Sequence, residues 1–282
     1  MRTLALVQNL SMREPHRPSR SPNDMKIASW NVNSIRARLT HVEDYLRVAA
    51  PDVLCLQETK VTDDDFPLET FSRLGYETAR IGQKSYNGVA LVSKHPISDV
   101  RLGLKDAGAH DDARLISGLV QGTRIFSAYI PNGKSLESPS YQDKLLWLTR
   151  LRATLEDQAD AHLPVALCGD FNIAKEARDV FDPELMEGKI HFSAAEHQAL
   201  RQIEDFGLID SFRKLHEEPD LYSWWDYRMG AFRRNRGLRI DYIFVTQPIA
   251  QTLRLAAIDR TPRTWDKPSD HAPCVIEFDS SH

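Results

Sequence analysis

The amino-acid sequence predicts a single α/β domain built around two β-sheets. Nine apolar runs of strand length recur along the chain, whereas only three segments show helical periodicity. A doubly wound parallel sheet is disfavoured, because that fold needs a helix between most of its strands. Hydrophobic residues make up 41% of the 282 residues, which is ordinary for a chain with a substantial core. No shift of composition marks a second domain within residues 25–282.

The predicted elements follow from turn residues and from the spacing of apolar side chains. The strands, in chain order, are Lys26–Trp30, Asp52–Gln57, Gly88–Ser93, Leu115–Val120, Arg124–Ile130, Val165–Cys168, Arg239–Val245, Leu253–Ile258 and Pro273–Phe278. Apolar residues at helical spacing predict helices over Arg38–Ala49 and Gln142–Gln158. A third helix is predicted to begin at the capping box of Ser193 and Glu196 and to end at Gly207.

The first 24 residues differ from the rest of the chain. Ser11–Asp24 is rich in proline, serine and arginine with almost nothing to bury, so residues 1–24 are predicted to be a disordered extension of the domain over 25–282. The apolar run Leu4–Val7 is too short for a secretory signal. No run reaches the roughly 20 residues of a membrane helix. These features predict a soluble, cytoplasmic protein without a membrane partner.

The cysteines and the net charge narrow the classes of function. Cys55, Cys168 and Cys274 lie in separate apolar runs, which predicts buried reduced thiols and neither a disulfide framework nor a zinc site. The net charge of −4 weighs only weakly against a nucleic-acid partner. A local basic surface is what attracts nucleic acid, and a metal-dependent enzyme also needs acids on that surface.

Polar side chains cluster where the apolar runs end. The clusters are Asn31-Val32-Asn33, Gln57-Glu58-Thr59-Lys60, Tyr129-Ile130-Pro131-Asn132, Gly169-Asp170-Phe171-Asn172 and Ser269-Asp270-His271. The turn preferences of asparagine, aspartate and glycine explain any one of them. Strands of a packed sheet end at a common edge, however, so the five together favour one cleft. Asp241 lies inside an apolar run, where a carboxylate is costly unless paired, and His271 is its candidate partner.

The residue types in these clusters favour metal-dependent hydrolysis of a phosphodiester. Carboxylates such as Glu58 and Asp270 are hard oxygen ligands, which suit Mg²⁺ or Mn²⁺ better than zinc. The reaction needs a cation on the phosphoryl oxygens, a positioned water and donors around the developing charge. The sequence has no GxxxxGK[ST] loop and no activated serine or cysteine, which weighs against triphosphate hydrolysis and acyl transfer.

Seven fragments, taken in order, resemble the exonuclease III family of apurinic/apyrimidinic endonucleases. They are KIASWNVNSIRAR, LQETK, YNGVALVSK, SAYIPNG, GDFNIA, RNRGLRIDYIF and KPSDHAP, and they extend from about Met25 to Phe278. GDFN and SDH are shared with the wider endonuclease/exonuclease/phosphatase superfamily, whereas WWDYR and NRGLRID narrow the resemblance to the exonuclease III branch. It implies a four-layer α/β sandwich, with two face-to-face mixed β-sheets flanked by helices.

The activity implied by the resemblance is Mg²⁺-dependent hydrolysis 5′ to abasic sites in duplex DNA, as in base excision repair. The implied partner is duplex DNA with abasic sites or blocked 3′ ends, acted on by a monomer near the nucleoid. Exonuclease activity in the 3′→5′ direction and 3′-phosphatase activity are implied too, and their balance is left open.

The resemblance also implies a metal-binding set. Glu58 is the expected main ligand of Mg²⁺, with Mn²⁺ as a substitute, and Asn31 and Asp270 are expected close to the ion. The full expected set is Asn31, Glu58, Asp170, Asn172, Asp270 and His271. The number of metal ions, one or two, is left open. Asn33 is not assigned as a ligand, because family members differ at the position that it matches.

The implied catalytic residues are Tyr129, Asp170, Asn172, Asp241 and His271. Asp170 is expected to orient or deprotonate the attacking water, and His271 to contact the scissile phosphate. A carboxylate behind an imidazole fixes its tautomer and favours its charged form, which is the expected role of Asp241. Tyr129 is an expected phosphate or metal-side contact. The general base is left open between Asp170, Tyr129 and a metal-bound hydroxide.

A loop rich in arginine and aromatic residues is the expected DNA contact. Five arginines and no acid lie between Arg228 and Arg239, directly after four tryptophan and tyrosine residues. A solvated loop or a core contribution explains either feature alone, but the mixture favours a loop that grips phosphates and inserts side chains into a duplex. The resemblance implies an apolar pocket that accepts a flipped-out abasic sugar, because a base-less nucleotide costs less to extrude. The expected DNA contacts are Asn132, Trp224, Arg228, Arg236, Leu238, Arg239 and Ile240, with Trp224, Leu238 and Ile240 as pocket walls.

Two alternatives remain at this point. The first is another phosphoesterase of the superfamily, such as a nonspecific deoxyribonuclease, a deadenylase, a sphingomyelinase or an inositol phosphatase. Such an enzyme would share the strand-end clusters, but its activity would not explain the loop rich in arginine and aromatic residues, the Trp/Arg loop. A non-catalytic nucleic-acid-binding regulator would be expected to lose metal or phosphate ligands, and this chain retains them.

Overall fold

The computed structural model describes residues 23–108 and 112–281. The expected disorder of residues 1–24 lies outside this part of the chain, except that the first strand already begins at Asp24. None of the helices in the described ranges has the length and apolar character needed to cross a membrane. Cys55, Cys168 and Cys274 are buried free thiols, as the sequence predicts.

The described residues contain twelve strands and seven α-helices. The strands are β1 (Asp24–Asn31), β2 (Val53–Gln57), β3 (Glu77–Ile81), β4 (Val89–Ser93), β5 (Ser98–Leu102), β6 (Leu115–Val120), β7 (Thr123–Tyr129), β8 (Val165–Asp170), β9 (Ile209–Asp210), β10 (Asp241–Val245), β11 (Leu253–Ile258) and β12 (Cys274–Asp279). The helices are α1 (Ile35–Val48), α2 (Leu68–Arg73), α3 (Pro139–Gln158), α4 (Pro183–Met186), α5 (Ala194–Glu204), α6 (Ser211–Leu215) and α7 (Gln247–Thr252).

The strands form two mixed six-stranded sheets. The first has the order β11-β12-β1-β2-β4-β3 and the second the order β5-β6-β7-β8-β10-β9. Each sheet has one parallel pair near its centre, β1 with β2 and β7 with β8, and its other neighbours are antiparallel. Each parallel pair is joined through a helix, α1 or α3, as parallel strands require. The carboxyl ends of the two paired strands therefore meet at one edge of each sheet.

The four layers arise because successive side chains of the buried strands point to opposite faces of the sheet. Ile27 and Cys55 face the second sheet and belong to the apolar cluster between the sheets. Their neighbours Ala28 and Leu54 face the opposite way and pack in the cluster under α1. Under α3 and α5 a third cluster buries the outer face of the second sheet. The predicted sandwich of two face-to-face sheets flanked by helices is confirmed.

Helices α3 and α5 begin at polar caps that the sequence supplies. Ser138 accepts a hydrogen bond from the Ser140 backbone, and Pro139 opens the first turn of α3. The predicted capping box of α5 is present, with Ser193 and Glu196 capping each other's backbone N–H groups. The helix ends at Glu204, shortly before the predicted stop at Gly207.

The sequence misses short or exposed strands and misplaces several boundaries by one to three residues. The strands β3, β5 and β9 are absent from the prediction, because β3 is a half-buried edge strand, β5 is a mostly exposed edge strand and β9 has only two residues. The strand predicted from Arg239 begins only at Asp241, because Leu238 forms bridges to Val180 and Trp224 first. Asp241 thus opens β10 and pairs directly with Asp170 at the end of β8.

Candidate active site at the edge of the two sheets

Two carboxylates and an imidazole meet where β2 and β8 end. Ligand-type atoms of Glu58, Asp170 and His271 all lie within 4.8 Å of one another. Asn31, the last residue of β1, lies between the carboxylates, and its Nδ2 donates to Glu58 Oε1 at 2.8 Å and to Asp170 Oδ2 at 2.9 Å. Residues from all five predicted strand-end clusters thus converge, because Tyr129 contributes to the same site. Two hard carboxylate donors this close to each other fit a divalent cation of the Mg²⁺ type.

The backbone around Glu58 is held in an unusual conformation. Glu58 has a φ of +51°, in the left-handed region that non-glycine residues rarely adopt. Its carbonyl accepts from Ser34 N at 2.8 Å, and its Oε2 lies 2.7 Å from Lys60 Nζ. These contacts turn the carboxylate towards Asp170. Such strain, maintained by surrounding contacts, is common at functional sites.

Pairing of β7 with β8 brings Tyr129 opposite Asp170. Gly169 allows the close approach, because a Cβ there would lie 2.0 Å from Ala128 O. Burial and the nearby carboxylates of Glu58 and Asp170 raise the pKa of Tyr129 well above its ordinary value. The phenol is therefore protonated at neutral pH, which weighs against Tyr129 as the general base.

Asp241 holds the imidazole of His271. The Nδ1 atom of His271 lies 2.9 Å from Asp241 Oδ2, and its Nε2 lies 3.7 Å from Asp170 Oδ2. Ser223 Oγ donates to Asp241 Oδ2 at 2.7 Å, which fixes the carboxylate in turn. Asp241 and His271 are the pair that the sequence suggests, and Ser223 is a third member that the sequence prediction missed.

The electrostatics of this group separate the roles of acid and base. Burial alone lowers the pKa of His271, but the carboxylates of Asp241 and Asp170 outweigh it and raise the pKa to about 10. Burial raises the pKa of Asp170 to about 7, against the opposing charge of His271 and with further help from Asp241 and Glu58. A protonated His271 has no lone pair for a metal, so its expected role as a ligand is weakened and its role as a donor is strengthened.

Asn172 and Asn132 form a pair of amides beside Asp170. Asn132 Nδ2 donates to Asn172 Oδ1 at 3.0 Å, and Asn172 Nδ2 donates to Ile130 O at 3.1 Å. The backbone N of Asn172 donates to Asp170 Oδ1 at 2.9 Å. Asn172 is buried while Asn132 is exposed, so the outer amide faces the open side of the site.

Asp270 lies outside the three-residue group of Glu58, Asp170 and His271. Its Oδ2 accepts from Trp224 Nε1 at 2.9 Å and its Oδ1 accepts from Asn33 Nδ2 at 3.0 Å. Burial tends to raise its pKa, but His271, Trp224 and Asn33 outweigh burial and lower it. Asp270 is therefore an ionised carboxylate that ties the Trp/Arg loop to the site, and its expected place as a ligand stays a prediction.

Glu58, Asp170 and His271 form a charged group. An apolar pocket of about 620 Å³ adjoins this charged group. Trp224, Arg228, Arg236 and Leu238, four of the expected DNA contacts, line it. The remaining lining residues are Phe181, Met186, Lys189, Ile190, His191, Asp226, Met229, Ala231 and Arg234, so basic side chains outnumber the one acid. Ile240 does not line the pocket but packs behind Leu238 in a buried cluster. The pocket therefore combines apolar walls with a rim of basic side chains.

The expectation that Arg239 contacts DNA is wrong. Arg239 is 0% exposed, and its guanidinium binds Asp179 at 2.8 Å and Asp210 at 2.8 Å. A fully buried arginine with two carboxylate partners belongs to the framework behind the pocket and cannot reach a phosphate. Asp179 and Asp210 lie 60 and 29 residues away in sequence, so the basic run gave no sign of this pairing.

Two further buried ionic residues were missed. Lys144 on α3 and Glu196 on α5 are both 0% exposed and paired, and Lys144 also donates to the backbone of Asn172. The available signal was position: Lys144 falls on the apolar face of α3, where a charged side chain needs an explanation. Glu196 was visible only as a helix cap.

The chain is similar to known proteins in both sequence and fold. Residues 28–271 match the endonuclease/exonuclease/phosphatase family. Exodeoxyribonuclease III of Haemophilus influenzae is 35% identical over 266 residues, which cover 90% of this chain and 100% of that protein.

Two solved structures have the same fold over nearly their whole length. The 3′ phosphatase NExo from Neisseria, bound to a product DNA hairpin, has a TM-score of 0.88 and 40% identity, with 90% of this chain and 99% of that chain covered. An AP endonuclease from Archaeoglobus fulgidus has a TM-score of 0.87 and 39% identity, with the same coverage of 90% and 99%. At 40% and 39% identity, both structures are similar to this chain in sequence as well as in fold.

Proposed function

The chain belongs to the exodeoxyribonuclease III branch of the endonuclease/exonuclease/phosphatase family, and from that premise we propose that it is a DNA-repair phosphodiesterase that incises duplex DNA 5′ to abasic sites. Removal of nucleotides and of phosphate groups from 3′ ends is the expected accompanying activity. The relatives are an exodeoxyribonuclease, a 3′ phosphatase and an AP endonuclease. Each of these names describes an enzyme that cleaves a phosphate ester of the DNA backbone.

One observation carries the proposal: the charged group and the apolar pocket are adjacent. Trp224 links the two, because it lines the pocket, its backbone forms a bridge with His271, and its Nε1 donates to Asp270, the neighbour of His271. A nucleotide that lacks its base could place its sugar in the pocket while its 5′ phosphate lies against His271 and Asn132. A base would have to be accommodated as well, so extrusion of an intact nucleotide costs more free energy.

Mg²⁺, with Mn²⁺ as the expected substitute, is the cofactor that Glu58 and Asp170 would hold. When bound, such an ion supplies Lewis-acid polarisation of a phosphoryl oxygen and neutralises developing charge. Asn31 orients both carboxylates through its Nδ2. Lys60 opposes part of the Glu58 charge at 2.7 Å. The donor chemistry supports a hard cation and gives no reason to choose between one ion and two.

Asp170 is the proposed base or orienting group for the attacking water. Burial raises its pKa to about 7, whereas a cation held beside it would lower that pKa and keep the carboxylate ionised and able to accept or orient a proton of the water. His271, charged through Asp241, donates from Nε2 to the scissile phosphate where charge develops. Asn132 and Asn172 contribute neutral donors on the same side, and protonated Tyr129 contributes one more.

A different phosphoesterase activity within the family is the second candidate. The basic rim of the pocket, with Lys189, Arg228, Arg234 and Arg236, supports a polyanionic duplex over a small phosphorylated substrate. We propose that the protein acts in the cytoplasm at the nucleoid, because DNA is its proposed substrate. The proposed oligomeric state is a monomer. A non-catalytic regulator is disfavoured because every proposed catalytic residue is retained.

A labelled duplex with one abasic-site analogue tests the proposal. Incubation with Mg²⁺ should produce one cut on the 5′ side of the analogue that leaves a 3′-hydroxyl, and EDTA should abolish it. A parallel substrate with a 3′-phosphate should lose that phosphate. Absence of a metal-dependent cut beside the lesion, with phosphate release alone, would replace the incision proposal with the second candidate.

A further inference from the structure

Lys144 is a buried cation that the catalytic scheme does not use. It lies on the apolar face of α3, between the buried residues Tyr141, Trp147 and Leu148, and is 0% exposed. An uncompensated charge in such a place is strongly unfavourable. An apolar residue of similar volume would often serve stability as well as a buried ion pair does. The lysine therefore calls for an explanation beyond packing.

All three N–H groups of the ammonium have partners. Nζ lies 2.7 Å from Asn172 O, 2.5 Å from Glu196 Oε1 and 3.3 Å from Asn132 O. An ammonium has three donors, so its hydrogen-bonding capacity is used in full. Two of the three acceptors are the carbonyls of the residues whose amides flank Asp170. One side chain thus tethers the loops after β7 and β8 to each other and to α5.

Glu196 is fixed as firmly as its partner. Its Oε1 also accepts from His191 N at 3.1 Å, and its Oε2 accepts from Ser193 Oγ at 2.7 Å. His191 in turn places its Nδ1 2.6 Å from Asn172 O, the carbonyl that Lys144 binds. His191 also lines the apolar pocket. The network therefore joins the amide pair to one wall of the pocket.

Asn172 needs such support because of its backbone. Its φ of +52° is in the left-handed region, which residues other than glycine adopt infrequently, although asparagine tolerates it better than most. The backbone carbonyl of Asn172, bound by Lys144 and His191, faces the core, while the backbone N–H of Asn172 donates to Asp170 Oδ1. Release of the carbonyl would let the residue relax, and the Asn132 amide, bound to Asn172 Oδ1, would move with it.

We propose that the Lys144–Glu196 pair is a positioning unit. It holds the side-chain amides of Asn132 and Asn172 in their places beside Asp170. The pair touches no substrate and acts through the two amides. The inference rests on the proposed function for its activity readout, but not for its structural readout. Because the amides are needed most as charge develops, loss of the pair should lower kcat and leave binding largely intact.

The test replaces the ion pair by a neutral pair. Lys144→Met with Glu196→Gln should lower kcat for the abasic duplex by about 10-fold to 100-fold, since sub-ångström misplacement of catalytic groups has effects of that size. KM should change by less than about threefold. The matched control is Lys175→Met with Glu204→Gln, which removes a 2.5 Å ion pair between the loop after β8 and α5 that does not contact either amide. The control should keep wild-type kcat.

Two readouts separate positioning from general destabilisation. Hydrogen exchange over residues 170–174 should accelerate in the Lys144/Glu196 variant and not in the control. In a background of Asn132→Ala and Asn172→Ala, the Lys144/Glu196 change should add less than about twofold to the loss of kcat, since coupled residues are not additive. If the double variant does not fold, Glu196→Gln alone, which keeps the shape of the side chain, should give the same pattern with a smaller loss.

Full additivity in the amide-deleted background, or unchanged exchange together with kcat within twofold of wild type, would overturn the positioning role. A wild-type enzyme that fails to cut the abasic duplex refutes the proposed function. Hydrogen exchange then still decides the positioning claim, because it needs no substrate.

Discussion

The charged group and the apolar pocket are neighbours, but they are built in different ways. Asp170 and His271 are nearly fully buried, and their polar atoms have partners from several strands of both sheets. The pocket is lined mostly by loops, with Met229 79% exposed and Arg228 and Arg236 in solvent. Chemistry is thus assigned to the rigid sheet edge, where misplacement is costly, and selection to side chains on connecting segments. Changes at the sheet edge should alter the rate, and changes in the pocket should alter the choice of substrate.

The largest effect is expected at Asp170. Asp170→Asn removes the carboxylate that we propose accepts the proton or orients the water, so kcat should fall about 10²-fold to 10⁴-fold. Affinity for abasic duplex, measured by fluorescence anisotropy with Ca²⁺, should stay within a fewfold of wild type. Asp157→Asn on the exposed face of α3 is the control. Near wild-type cleavage by Asp170→Asn would exclude the assigned role.

The next effect separates the pocket from the charged group. Trp224→Ala should lower the ratio of abasic to intact duplex cleavage by about 10-fold to 200-fold, the range that an apolar contact supplies. Removal of a 3′-phosphate should be affected less. Trp224→Phe keeps an apolar ring without the Nε1 bond to Asp270, so it should keep most of the selectivity. Equal losses for both substrates would reject the pocket assignment.

A pH profile tests the pairing of His271 with Asp241. The Asp241 carboxylate raises the pKa of His271, so the imidazole stays charged up to about pH 10. Asp241→Asn removes the negative charge of the carboxylate, so the pKa of His271 should fall. The alkaline limb of kcat should therefore move to lower pH by about 1–3 units. Ser223→Ala removes the hydrogen bond to Asp241 Oδ2 and the acceptor of the Ile240 and Asp241 backbone N–H groups, but it keeps the Asp241 charge, so it should move the limb less. An unchanged alkaline limb in Asp241→Asn would contradict a donor role for the imidazolium.

The smallest effect is expected at the rim of the pocket. Arg236 is exposed and stacks over Phe181 at 4.7 Å. Arg236→Ala should weaken duplex binding severalfold and reduce the slope of log Kd against log salt by about one. Arg254→Ala on β11, exposed and paired with Asp24 and Asp279, is the matched control. A slope equal to that of wild type would remove Arg236 from the phosphate contacts.

The sequence predicts the sheet edge better than it predicts the pocket. Buried strands leave long apolar runs, and polar residues where the runs stop mark Glu58, Asp170 and His271 without knowledge of their spatial order. Loops carry no such periodicity. Arg228, Arg236 and Arg239 look alike in sequence, yet only Arg239 meets two distant aspartates and becomes buried. Lys144 and Glu196 were overlooked for the same reason, because their pairing depends on how α3 packs against α5.

Substrate choice by the wild-type enzyme tests most directly whether one site combines the two regions. Two duplexes with different labels, one with a single abasic-site analogue and one intact, are mixed at equal concentration with Mg²⁺. The predicted result is cleavage of the abasic duplex alone, on the 5′ side of the analogue, with no cleavage in EDTA. Equal cleavage of both duplexes, or cleavage that persists in EDTA, would contradict the account.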